Sequence, residues 1–174
     1  MVKFTIVDFP KPTPLKGGRM NAFSKFGLAV AGSLVLASAV MAQGAPSPEA
    51  NAVKARKAVF DVISLANAPV GAMLRGGTFD AAVAAKAGER LQVLGGIISD
   101  AFAKDTHGVA GLETKARDAI WTTKADFDAK AADLVKAAAS LEAAGKAGNK
   151  DAVTAAAGAV GKACGACHDA FRDK

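Results

Sequence analysis

Residues that carry metal and redox chemistry are scarce here: the chain has two cysteines, two histidines, one tryptophan and no tyrosine. A structural zinc site wants four ligands, and two Cys with two His are all that the whole chain could offer. Runs of β-branched residues are also scarce, and helix-favouring alanine dominates, so a sheet is excluded and an all-α fold is predicted. The same lack of alternating strands and helices removes the βαβ context that a thioredoxin-like Cys-x-x-Cys couple needs. A net charge of +6 suggests a basic protein, but its distribution along the chain says otherwise.

Lys3, Lys11, Lys16, Arg19 and Lys25 stand against Asp8 alone in the first 42 residues. Lys16, Arg19 and Lys25 precede an apolar run, Phe26 to Val40, that ends in Val40-Met41-Ala42 before Gln43. A basic region, an apolar stretch and small residues at a cleavage point describe a secretory signal peptide. The run is shorter than the roughly 20 residues a membrane span needs, so cleavage after Ala42 is expected and no membrane anchor is retained. Met20 opens a signal of ordinary length, which makes residues 1–19 a stretch upstream of the true start. The predicted mature chain, residues 43–174, holds 17 of the 22 basic and 15 of the 16 acidic residues. Such a balance excludes nucleic acid as a partner. Its 132 residues suit one domain with a modest core.

Four helices are predicted within it. The first runs from Pro48 to Leu74, with Ser47 as cap and Val53, Arg56, Phe60, Ile63, Asn67 and Leu74 as its inward stripe. Pro69 is expected to kink it or split off its last turn. After Gly76-Gly77, Thr78 is a candidate cap for a second helix, Phe79 to Ala103, with a seam of Leu91, Leu94, Ile98 and Ala101. Residues 104–112 form the longest linker. A third helix, Glu113 to Ala144, carries Ile120, Phe127, Leu134 and Leu141 every seven residues, with Ala131 and Ala138 between them. Gly145 to Asn149 is read as a turn and Lys150 to Arg172 as the fourth helix. Amphipathic helices with mostly short connections make an antiparallel four-helix bundle.

The last helix holds both cysteines, Cys164 and Cys167, with His168 directly after the second. Cys-x-x-Cys-His is the signature of covalent haem attachment: two thiols reach one edge of the macrocycle and the imidazole reaches the iron. On a helix these three positions span about 100° of arc and share one face. A disulfide would account for the thiols but not for His168. One haem c is therefore the expected cofactor, held by Cys164 and Cys167 with His168 as axial iron ligand. On the wheel Val153, Val160 and Phe171 share the thiols' face, and Gly158, Gly161 and Gly165 line the neighbouring flank. At about 1 kcal/mol each relative to alanine, those glycines signal either a closely approached backbone or tolerance at an exposed surface.

With these residues in place the chain resembles the cytochromes c′, the class II c-type cytochromes. The resemblance rests on Cys164-Gly-Ala-Cys-His-Asp-Ala-Phe-Arg172, Ala52-Val-Lys-Ala-Arg56 in the first helix, Ile120-Trp121 in the third, and the exported four-helix layout with haem on the last helix. It covers essentially all of the mature chain. Counting from Arg56, it implies that the distal side of the iron falls on Phe60, which has no lone pair to donate. Met73, the one methionine of the mature chain, lies thirteen residues further on, about 20 Å along the helix. The resemblance thus implies a five-coordinate, high-spin haem that binds small diatomic gases, nitric oxide or carbon monoxide, with electron transfer as a second activity and a redox partner not identified by the sequence.

A six-coordinate, low-spin electron carrier is the alternative. A peroxidase-like enzyme is not expected, because no distal histidine or acid–base pair is visible. Arg56, charged on an inward stripe, calls for a partner such as a haem propionate. By resemblance Arg172 sits near the proximal face, against a propionate or a proximal ligand. Trp121 and Phe127 are expected beside the macrocycle, and His107 in solvent. The signal peptide implies export to the periplasm, and the resemblance makes a homodimer through the first two helices an option, though no apolar patch in the sequence asserts it.

Overall fold

Proline at the first helical position and a serine before it begin the chain's longest helix, as their chemistry requires. A computed structural model describes residues 46–174, and the predicted signal peptide lies outside them. Helix α1 is Pro48–Leu74, with the Ser47 hydroxyl accepting from the Ala50 N–H at 3.1 Å. It passes Pro69 without being split. The carbonyl left without a donor there is that of Leu65, whose side chain is 73% exposed, so it lies on a face that water reaches. The inward stripe holds through Val53, Arg56 and Ile63 and then continues on Ala66 and Val70. Asn67 and Leu74, placed on the stripe by sequence, drift off it: Asn67 is half-buried and Leu74 exposed.

The second predicted helix is shorter at both ends. Helix α2 is Ala81–Gly96, capped by Asp80, whose carboxylate accepts from the Val83 N–H at 3.0 Å, rather than by Thr78. After Gly95-Gly96 the chain breaks at Ile97, and a single turn, α3, follows at Ile98–Ala101.

The third predicted helix is corrected most. Residues 113–118 are not helical; α4 is a single turn at Ala119–Thr122, and the long helix α5 is Lys124–Lys146, which takes in the Gly145 read as a turn. The reason is tertiary. The Arg117 N–H donates to the Phe171 carbonyl at 3.0 Å and the Asp173 N–H to that of Lys115 at 2.9 Å, so this stretch runs extended beside the end of the last helix. Upstream, Gly108 and Gly111 take left-handed φ values of 69° and 79°, which end any helical run. Helix α6 is Lys150–Phe171, with the Asn149 side chain accepting from the Ala152 N–H at 3.0 Å.

Helices α1, α2, α5 and α6 form the bundle, and α3 and α4 close one end of it. Ile120, Phe127, Leu134 and Leu141, with Ala131 and Ala138, are all buried, as their seven-residue spacing predicts. Phe127, Leu91, Ile120, Leu141, Val70 and Val160 are the largest fully buried side chains, each worth about 1.5–3 kcal/mol by burial.

The tightest seam joins α2 to α5. A methyl on Gly88 would sit 2.7 Å from the Ala138 carbonyl, and one on Gly145 would sit 2.8 Å from that of Ala81. Each glycine thus lets the facing backbone approach where alanine could not. On α6 the opposite holds: a methyl on Gly158, Gly161 or Gly165 meets nothing within 4 Å, so these glycines lie against open space.

Candidate haem site

Helices α1 and α6 meet little directly, and between them, floored by α5, lies a cavity of about 580 Å³. That is within the usual range for a small-molecule or cofactor pocket. Cys164, Cys167 and His168 line it from α6, and Arg56 and Phe60 line it from α1. Leu91, Ile98, Phe102, Phe127, Leu134 and Phe171 supply apolar walls.

Both thiols are free and half-buried, and burial pushes both above their ordinary value, Cys167 further helped upward by the neighbouring Cys164. A redox-active thiol pair wants the reverse, a lowered value that exposes thiolate. Burial, followed by the charge of Arg172, holds His168 below its usual range, so its imidazole is neutral and keeps a lone pair for a metal. Two available thiols, a neutral imidazole one residue on, and an apolar cavity of this size fit a haem attached through Cys164 and Cys167 with His168 toward the iron. No cluster of three or more His, Cys, Asp or Glu suited to a bare metal ion exists among the described residues.

The position of α6 is fixed by its far end. The Arg117 guanidinium pairs with the Asp173 carboxylate at 2.9 Å and donates to the Asp169 carbonyl at 2.9 Å, alongside the backbone pairing of Ala116 with Arg172. These bonds lie within five residues of His168 and restrain its turn of helix. Sequence reasoning missed them, because it placed residues 115–118 inside a helix.

Arg56 is 3% exposed, and its partners are protein oxygens. Nε donates to the Ala101 carbonyl at 2.9 Å, Nη1 to the Thr106 hydroxyl at 2.7 Å and Nη2 to the Lys104 carbonyl. The guanidinium also lies 4.7 Å from the Phe102 ring centre and 5.2 Å from that of Trp121. Arg56 therefore clamps the 101–106 segment over one end of the cavity, and it is satisfied without a propionate. The signal was present in part: a buried charge on α1 required acceptors, and Thr106 is the buried polar residue of the linker.

Phe60 is half-buried and stands edge-on to Phe102, ring centres 6.2 Å apart. Phe102, absent from the sequence reading, is the hub that also contacts Phe127 at 4.9 Å and Trp121 at 6.2 Å. Phe127 lines the cavity. Trp121 does not; it packs behind Phe102 and donates its indole N–H to the Phe102 carbonyl at 3.0 Å. Arg172 is exposed at the rim on the His168 side. Met73 lines a separate hollow with Val70, Phe79 and Val153, and among the described residues neither a methionine nor a second histidine lines the main cavity. His107 is exposed in the linker, 3.2 Å from Asp118.

The family model described as Cytochrome C′ matches residues 51–172. Over 141 residues the chain is 36% identical to cytochrome c′ of Cereibacter sphaeroides, covering 80% of this chain and 94% of that one. Among solved structures it is similar to cytochrome c′ from Rhodobacter spheriodes, with a TM-score of 0.66 and 37% identity over 74% of this chain and 99% of that one. It is also similar to a nitric oxide complex of a mutant cytochrome c prime from Alcaligenes xylosoxidans, with a TM-score of 0.65 and 31% identity over 75% and 99% of the two chains.

Proposed function

The chain belongs to the cytochrome c′ family, whose cofactor is a covalently attached haem c, and from that premise we propose that it is a periplasmic, five-coordinate, high-spin member that binds nitric oxide or carbon monoxide. When bound, that haem supplies an iron able to take a sixth ligand and to exchange one electron. One observation carries the proposal: opposite Cys164, Cys167 and His168 the cavity presents Phe60, and among the described residues no methionine or second histidine lines it. His168 then donates the only histidine nitrogen, and Phe60 on the α1 side has no lone pair to offer the iron.

Phe60 itself offers no hydrogen-bond donor to hold dioxygen, while a small neutral diatomic needs only room. The nitric oxide complex of a mutant of the Alcaligenes relative supports gas binding. The role is ligand binding, with electron transfer as a second activity, rather than catalysis. Arg172 stands where it can meet a propionate or a ligand on the His168 side. Carbon monoxide added to the reduced protein tests the proposal: a saturable change in absorbance at one equivalent per chain supports it, and an unchanged spectrum contradicts it.

Val62 and Leu65 on α1 and Val93 on α2 are exposed apolar residues, which supports a homodimer through these helices. Sedimentation at micromolar concentration tests this, and a monomer there would count against it.

A further inference from the structure

Arg56 is a buried cation whose hydrogen bonds all end on one short stretch of chain, Ala101 to Thr106. From Lys104 to Gly108 no backbone N–H donates to another backbone group, so the chain after Phe102 does not hold itself. Arg56 holds it from α1, through the Ala101 and Lys104 carbonyls and the Thr106 hydroxyl. From the other side Trp121 donates its indole N–H to the Phe102 carbonyl at 3.0 Å. The Lys104–Glu49 pair, 2.8 Å long, also ties the segment to α1, but its lysine is 52% exposed and such a pair holds little. Hydrogen bonds from a buried charge are the stronger kind, so Arg56 decides where the segment lies.

The residue that this arrangement fixes is Phe102. Its ring lies under the Arg56 guanidinium, 4.7 Å away, and against Phe127 and Trp121 at 4.9 and 6.2 Å. It is 5% exposed, and a ring so enclosed is held by its neighbours. Phe60 differs. It sits one turn after Arg56 on the same side of α1, is half-buried, and has one aromatic neighbour among the described residues, Phe102, edge-on at 6.2 Å. A fixed ring therefore stands beside a freer one, and both line the cavity.

We infer that Phe102 is a positioning residue for gas binding: held by Arg56, it is the fixed stop that keeps the Phe60 ring in the distal position and so sets the rate at which a diatomic ligand enters. The inference rests on the proposed haem and on Phe60 as its distal residue. A ligand enters when Phe60 yields, and Phe60 does not yield toward a ring that is itself held. Loosening Phe102 opens that direction, so entry quickens although neither Phe60 nor His168 is altered.

The test is carbon monoxide association with the dithionite-reduced, haem-loaded protein in stopped flow. Phe102→Leu keeps an apolar side chain but removes the ring that meets Phe60, and should quicken association about fivefold, the order expected of one aromatic pair. Arg56→Lys keeps the charge but not the fork, and should quicken it about threefold; it carries the test where Phe102→Leu does not fold. In a Phe60→Ala background both gains should vanish, because no ring is left to position. Lys104→Gln, which breaks the exposed pair on the same segment, and Leu141→Ala, which weakens the core away from the cavity, should leave the rate unchanged.

A second readout is independent of ligand entry. The chain has one tryptophan, so its indole N–H gives a single resonance. In the diamagnetic carbon monoxide complex, exchange of that proton with solvent should quicken about tenfold in Arg56→Lys and stay the same in Lys104→Gln. An unchanged or slower association in Phe102→Leu or Arg56→Lys, gains that persist after Phe60→Ala, an equal gain in Leu141→Ala, or an indole proton indifferent to Arg56→Lys overturns the inference and leaves the haem reading standing. A Phe60→Ala rate equal to the parent's removes Phe60 from the distal position and the inference with it.

Discussion

The two sides of this bundle are built on opposite terms. Between α2 and α5, Gly88 and Gly145 remove the side chains that would hold the backbones apart, and Ala84, Ala138 and Leu141 between them are fully buried. Between α1 and α6 the helices stand off, and the space is the haem cavity. One side spends its small residues on contact, and the other carries glycines, Gly158, Gly161 and Gly165, that contact nothing. The same residue type therefore has opposite meaning in the two halves: on α5 and α2 it is a packing requirement, and on α6 it is a removable helix weakness.

The contrast can be broken most severely at Gly88. Gly88→Ala forces a methyl against the α5 backbone, which no side-chain rotation relieves, and should cost about 3 kcal/mol or more in urea denaturation. A loss below about 1 kcal/mol would mean the seam is looser than described. On the open side, Phe60→Ala enlarges the distal wall without touching the thiols or His168. Carbon monoxide association should quicken about tenfold, equivalent to about 1.4 kcal/mol of barrier, and an unchanged rate in stopped flow would remove Phe60 from the distal position. The smallest effect should have the opposite sign from the first. Gly161→Ala adds a methyl into open space on a helix and should stabilise by about 0.5–1 kcal/mol, whereas destabilisation would show that something does approach α6 there.

Much of the open half was legible because its chemistry is local. Cys164, Cys167 and His168 lie within five residues, and helical geometry alone puts them on one face. Ser47 and Pro48 announced the start of α1, and the seven-residue spacing of Ile120, Phe127, Leu134 and Leu141 announced the core. What stayed hidden depends on residues far apart in sequence. The close approach at Gly88 and Gly145 leaves no periodic trace, since a glycine in contact reads like a glycine in solvent. The extended run at 115–117 is set by pairing with the end of α6, a partner more than fifty residues away that overrides local helix propensity. Arg56 was expected to meet a haem propionate, whereas the acceptors it meets, on Ala101, Lys104 and Thr106, come from an irregular segment whose path has no sequence signature. Trp121 lay on the right helix turn but one layer behind Phe102, a distinction that periodicity cannot make.

The claim on which the functional reading turns is that Phe60, and no sixth protein ligand, faces the iron from α1. The absorption spectrum of the purified, dithionite-reduced protein tests it without any added ligand. A broad high-spin spectrum that sharpens only when carbon monoxide is added is the predicted result. Sharp α and β bands in the reduced protein alone would show a low-spin, six-coordinate haem and contradict the account.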